Sequence, residues 1–109
     1  MIGVFVSLDY DDELDRERIL GVAAKASPAF EGMPGLRLKV FTLDEANRRA
    51  TNVYVWESDT AAKEFFTDEL TERVTGLYGV TPRIEFVEIA AFVDNASVAV
   101  SWVATADVR

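Results

Sequence analysis

Two stretches decide the fold: Met33-Pro34-Gly35-Leu36-Arg37-Leu38-Lys39-Val40-Phe41-Thr42-Leu43 and Asn52-Val53-Tyr54-Val55-Trp56-Glu57. They read as two strands, Leu36 to Leu43 and Asn52 to Glu57, joined by the polar connection Asp44 to Thr51. Side chains alternate across a strand, so Asn52, Tyr54 and Trp56 share one face while Val53 and Val55 share the other. On the neighbouring strand Arg37, Lys39 and Phe41 oppose Leu36, Leu38 and Val40. Each strand therefore has an aliphatic face and a polar-aromatic face. The aliphatic face asks for helices to cover it, and the polar-aromatic face reads as the lining of a cavity, an interface or both.

Working outward, Ile2 to Leu8 is short, β-rich and ends at a cluster of acids, which suits a buried first strand rather than a signal peptide. Asp11 or Asp12 is expected to cap a helix. Its first turns carry Glu13, Asp15 and Glu17, and its apolar face carries Ile19, Val22, Ala23 and Ala26 until Ser27-Pro28 stops it. Beyond the strand pair, Ser58 or Asp59 caps a second helix with an apolar stripe of Ala62, Phe65, Phe66, Leu70, Val74 and Leu77, fading at Gly76 or Gly79. Pro82 leads into a fourth strand, Arg83 to Val93. The order strand, helix, strand, strand, helix, strand is the split βαβ of a ferredoxin-like α+β domain, an antiparallel sheet with both helices on one face. The domain is expected over residues 1–94, with a tail over 95–109 whose segment 97–103 is a further strand candidate reaching toward a partner chain. If the helices cover Ile2, Val4, Val6, Leu36, Leu38, Val40, Val53 and Val55, then Phe5, Phe41, Tyr54, Trp56 and Phe86 stay uncovered. Soluble monomers rarely expose such a patch, so a homodimer with facing sheets is predicted.

Composition narrows the chemistry. With 109 residues and half of them hydrophobic, the chain is one folded domain. A formal charge of -8 disfavours a nucleic-acid surface, which needs clustered Lys and Arg. There is no cysteine and no histidine, which removes disulfides, thiolate nucleophiles, the usual general base and His-held zinc, iron or haem. No metal and no cofactor are expected. No apolar run approaches membrane-spanning length, so a cytoplasmic protein without membrane partners is the expectation.

Met33-Pro34-Gly35 before Lys39-Val40-Phe41-Thr42, then Val53-Tyr54-Val55-Trp56-Glu57-Ser58, then a helix with Ala61-Ala62 and Phe65-Phe66, resembles the YdhR-type monooxygenases. These belong to the dimeric α+β barrel superfamily that includes the antibiotic biosynthesis monooxygenases. The resemblance covers roughly Ile2 to Asp94. It implies a dimeric barrel, a pocket between helices and sheet or inside the barrel, and oxygenation of an electron-rich aromatic without metal or flavin. In quinone-forming members an Asn and a Trp, four residues apart, lie near the substrate. Asn52 and Trp56 repeat that spacing, so the resemblance assigns them the catalytic positions. The haem-degrading branch fits poorly, because it resembles a His-ligated system.

Each candidate also has a plainer reading. Trp56 and Tyr54 are either amphipathic packing at a dimer interface or a stacking wall for an aromatic ligand. Asn52 either orients a phenol or enol oxygen or satisfies nearby backbone. Arg37 and Lys39 either pair with Glu88 across the sheet or dimer, or Lys39 holds an anionic ligand oxygen, a phenolate or carboxylate. Phe41 and Phe86 complete the proposed ligand-binding face. Two functions follow: a cofactor-independent monooxygenase acting on a phenolic or polycyclic aromatic, or a non-catalytic small-molecule-binding or dimeric interaction module.

Overall fold

The computed structural model describes residues 1–95. Its elements are β1 (Ile2–Asp9), α1 (Arg16–Phe30), β2 (Leu36–Asp44), β3 (Arg49–Trp56), α2 (Asp59–Phe65), α3 (Asp68–Tyr78) and β4 (Arg83–Glu88). The strands form one antiparallel sheet in the order β2-β3-β1-β4, the ferredoxin-like topology expected from the element order. The candidate strand over 97–103 lies outside the described residues.

The helices differ from expectation in three places. Asp15, not Asp11 or Asp12, caps α1 by accepting from the Arg18 N–H, because the acidic run ahead of it is not helical and α1 begins at Arg16. Pro28 does not stop α1, which runs on to Phe30. A proline this near the C-terminus sacrifices only its own backbone donor, and the extra turn carries Phe30 onto the sheet. The long second helix is two helices, because Thr67 provides a new cap, its hydroxyl accepting from the Leu70 N–H. That break lets Phe65 and Phe66 both enter the core, edge to face at 5.0 Å. Gly79, in the left-handed region, ends α3. The fourth strand stops at Glu88 instead of Val93, and the hairpin connection shrinks as Arg49, Ala50 and Thr51 join β3.

The main correction concerns which face the helices cover. Directly paired residues of an antiparallel ladder share a face, and Val4 lies opposite Tyr54, which lies opposite Lys39. Val4, Val6, Leu8, Asn52, Tyr54, Trp56, Lys39 and Phe41 therefore stand together. This polar-aromatic face is the one under the helices, with Val4, Val6, Tyr54, Trp56 and Ala62 as the core and Phe30, Met33, Phe65 and Phe66 packed on it. The aliphatic residues expected there, Val40, Val53 and Val55, lie on the opposite face, where Val40 and Val87 are 44% and 40% exposed. A register irregularity between Leu36 and Leu38 splits these two between the faces. The physical reason is size: on β3 the helix residues Phe30, Phe65 and Phe66 pack against the Tyr54 and Trp56 rings rather than against Val53 and Val55.

Candidate active site

β2 and β3 form the floor of a cavity of about 250 Å³, roofed by α1 and α3. α1 supplies Val22, Ala26 and Phe30, and α3 supplies Leu70, Arg73, Val74 and Tyr78. The floor carries Lys39, Phe41, Asn52 and Tyr54, four of the residues singled out from sequence. Its walls are mostly apolar, with a few converging polar groups, the composition typical of a small-molecule site.

Lys39 is the unusual group. Its Nζ sits over three rings, 3.9 Å from the Phe30 centroid, 4.2 Å from Phe41 and 3.9 Å from Tyr54, and donates a 2.7 Å hydrogen bond to Tyr54 Oη. Among the described residues no carboxylate forms an ion pair with it. Removal from water disfavours the ammonium and pushes the Lys39 pKa down to about 7. Burial pushes the Tyr54 hydroxyl up, keeping it a neutral phenol. Asn52 is buried, and its Nδ2 donates to Tyr78 Oη at 3.2 Å. Burial raises the Tyr78 pKa and that hydrogen bond lowers it, with burial prevailing.

The remaining candidates lie elsewhere. Trp56 is buried one ring behind the cavity, stacked on Tyr54 at 6.1 Å and packed on Phe65 at 5.1 Å, and its indole N–H has no partner among the described residues. Asn52 and Trp56 thus share a face, as their spacing requires, but only Asn52 borders the cavity. Arg37 lines a groove along the outer edge of β2. It pairs with Glu57 at 3.7 Å and Asp94 at 3.8 Å and covers the Phe92 ring, so the expected pairing with Glu88 is replaced. Phe86 is exposed at one edge and packs edge to face on Phe66. Glu88 is exposed at the end of β4, opposite Ile2.

Tyr78, Arg73 and Phe30 are site residues that the sequence reading did not single out. A signal for Tyr78 was present, because Leu70, Val74 and Tyr78 recur every four residues on α3 whereas Leu77 turns out to be exposed. Phe30 was hidden by the assumption that Pro28 ended its helix. Tyr78 is held in place from two sides: Tyr10 Oη donates to its carbonyl at 2.7 Å, and Arg18 donates to the carbonyls of Leu77 and Gly76. These bonds satisfy the last carbonyls of α3 and place a cation where the helix dipole favours one.

No family model and no curated protein matches the chain. Solved structures do. One is a Bordetella bronchiseptica protein assigned as an antibiotic biosynthesis monooxygenase, at 22% identity and TM-score 0.60, covering 83% of this chain and 97% of that one. A Deinococcus radiodurans protein with the same assignment matches at 14% identity and TM-score 0.61, covering 86% and 97%. A third is a monooxygenase from the gene ActVA-Orf6 of Streptomyces coelicolor in complex with nanaomycin D, at 18% identity and TM-score 0.63, covering 86% and 92%. At these identities the likeness establishes the architecture: this chain has the ferredoxin-like α+β fold of the antibiotic biosynthesis monooxygenase structures.

Proposed function

We propose that the chain is a cofactor-independent monooxygenase acting on an electron-rich phenolic or polycyclic aromatic molecule bound between the helices and the sheet. The observation that carries this reading is the cavity between helices and sheet in which the Lys39 amine, the Asn52 amide and the Tyr54 and Tyr78 hydroxyls converge among aromatic rings. Its volume lies just under the range of about 300–1,000 Å³ for drug-sized ligands, which suits a compact bicyclic or tricyclic molecule. The ActVA-Orf6 protein, which shares the fold, is a monooxygenase with a bound ligand.

In this reading the substrate is the reductant. A bound phenolate passes an electron to molecular oxygen, the two radicals combine at a ring carbon, and the resulting hydroperoxide loses water to leave a carbonyl. One oxygen atom enters the product, the other leaves as water, and the phenol O–H and ring C–H supply its two protons. The protein contributes orientation, stabilisation of the anion by Lys39 and exclusion of water. Asn52 orients the phenolic oxygen, and Trp56 acts from behind by fixing the Tyr54 ring.

Oxygen uptake with a panel of anthrones and hydroxylated naphthalenes tests this. Uptake by the parent protein, lost in Asn52→Ala and reduced in Trp56→Phe with both variants folded, supports the enzyme. No uptake and no binding across the panel replaces it with the non-catalytic module.

We further propose that the chain is a homodimer joined through the open aliphatic face, which for β2 and β3 is the reverse of the face expected from sequence and for β1 the one expected. Two cytoplasmic copies covering Val40, Val53 and Val87 would leave each inner cavity intact.

A further inference from the structure

We propose that the Lys39 amine is the proton acceptor for the phenolic hydroxyl of the substrate, with Tyr54 as its positioning residue, an inference that rests on the phenolic substrate class proposed above. A phenol reduces oxygen readily only as its anion, so such a site needs somewhere to put one proton. Among the described residues no Asp or Glu lines the cavity, and the chain has no histidine. From α3, Arg73 and Tyr78 line the cavity: the guanidinium offers donors only, and the Tyr78 hydroxyl, pushed up by burial, stays a neutral phenol. From β3, Tyr54 is neutral for the same reason and Asn52 is not a base. Lys39 also borders the outer groove, together with Arg37 and the exposed Glu31; Arg37 is engaged by Glu57 and Asp94, and among the described residues no carboxylate forms an ion pair with Lys39. Lys39 is thus the basic group bordering the cavity whose proton is readily exchanged.

Its surroundings suit both of its states. With the cavity empty, burial favours the neutral amine. Once a proton arrives together with an anion, three ring faces and Tyr54 Oη surround the ammonium with acceptors. In the step itself the neutral Lys39 amine takes the proton of the bound phenol, giving a phenolate and the Lys39 ammonium. One O–H bond breaks, one N–H bond forms at Nζ, and no electron moves until oxygen is present. The transfer leaves the anion beside its counter-ion, poised for the oxygen step.

The test uses 2-naphthol under nitrogen at pH 8, where free naphthol is protonated, with absorbance to report the bound anion and calorimetry in two buffers of different ionisation enthalpy to count protons. The parent protein should bind the ligand as naphtholate with almost no net proton release, because the proton stays on Lys39. Lys39→Arg, permanently charged, should also bind naphtholate but release about one proton per ligand. Lys39→Met should bind neutral naphthol. Tyr54→Phe should still bind, with the pH midpoint of anion formation moved upward, since the ammonium loses an acceptor. Neutral naphthol in the parent site, or proton release matching that of the Arg variant, overturns the proton-acceptor role while leaving the pocket standing. An unmoved midpoint in Tyr54→Phe overturns the positioning role. No binding by the parent overturns the phenolic site itself and this inference with it.

Discussion

A half-buried lysine held among aromatic rings is expensive to keep, and that cost is measurable. The Lys39 pKa is about 7 in the folded chain against an ordinary 10.5, so between these values the unfolded chain holds more protons than the folded one. Stability contributed by this group therefore rises with pH across that window, and the penalty is complete below it. Lys39→Met, similar in length but apolar, is expected to be more stable than the parent at pH 7 by on the order of 1–3 kcal/mol, the shift being offset in part by the ring contacts. Urea unfolding at pH 7 and pH 10 checks this, and the difference between the two proteins should shrink at the higher pH. Asn52 gives the complementary case. Tyr78→Phe removes the acceptor of a buried amide donor, and a loss of about 1–3 kcal/mol is expected in the same unfolding experiment.

Among the elements, the turn into β2 controls the site most tightly. Gly35 has φ of 81°, and a Cβ there would stand 2.8 Å from the Ala61 Cβ on α2. Its carbonyl accepts from the Glu57 N–H at 2.8 Å, tying the start of β2 to the end of β3. Gly35→Ala combines left-handed strain with a clash against another element, so a destabilisation above about 1 kcal/mol is expected by thermal or urea denaturation. Lys39 follows on the same strand, and ligand binding should weaken along with stability. The Thr67 cap works at the same scale. It divides what reads as one apolar stripe into α2 and α3, and it aims α3 so that Leu70, Val74 and Tyr78 close the cavity.

At the scale of the molecule, the sheet is covered on one side by α1, α2 and α3 and open on the other. The open side is apolar at Phe5, Val40, Val53 and Val87 and charged at one end, where Asp9 meets Arg49 at 2.6 Å and Arg83 at 3.1 Å. These two guanidiniums, Arg49 foremost, hold the Asp9 carboxyl below its usual range, so the Asp9 carboxylate stays ionised at neutral pH. If the apolar part is the dimer surface, sedimentation should show a dimer for the parent and a monomer for Val53→Glu, since two opposed carboxylates would be buried. Binding of 2-naphthol in the inner cavity should survive that change. A parent protein that sediments as a monomer removes the dimer proposal.

The four strands in their order, the alternation along them and the placing of Asn52 and Trp56 on one face were legible in the sequence, because each depends on the local period of two along a strand. The Asp15 cap and the Thr67 cap that divides the second helix were not. Lys39, Phe41, Asn52 and Tyr54 could be grouped from that alternation alone. Which face the helices would choose could not, because periodicity gives the phase of each strand but not the direction from which the next layer arrives. That choice was made by the fit of Phe30, Phe65 and Phe66 against Tyr54 and Trp56, and of Tyr78 against Leu8, Leu14 and Ala50, residues far apart in the chain. It put Lys39 indoors among rings, and this tertiary decision, rather than any motif, gave the amine its unusual chemistry.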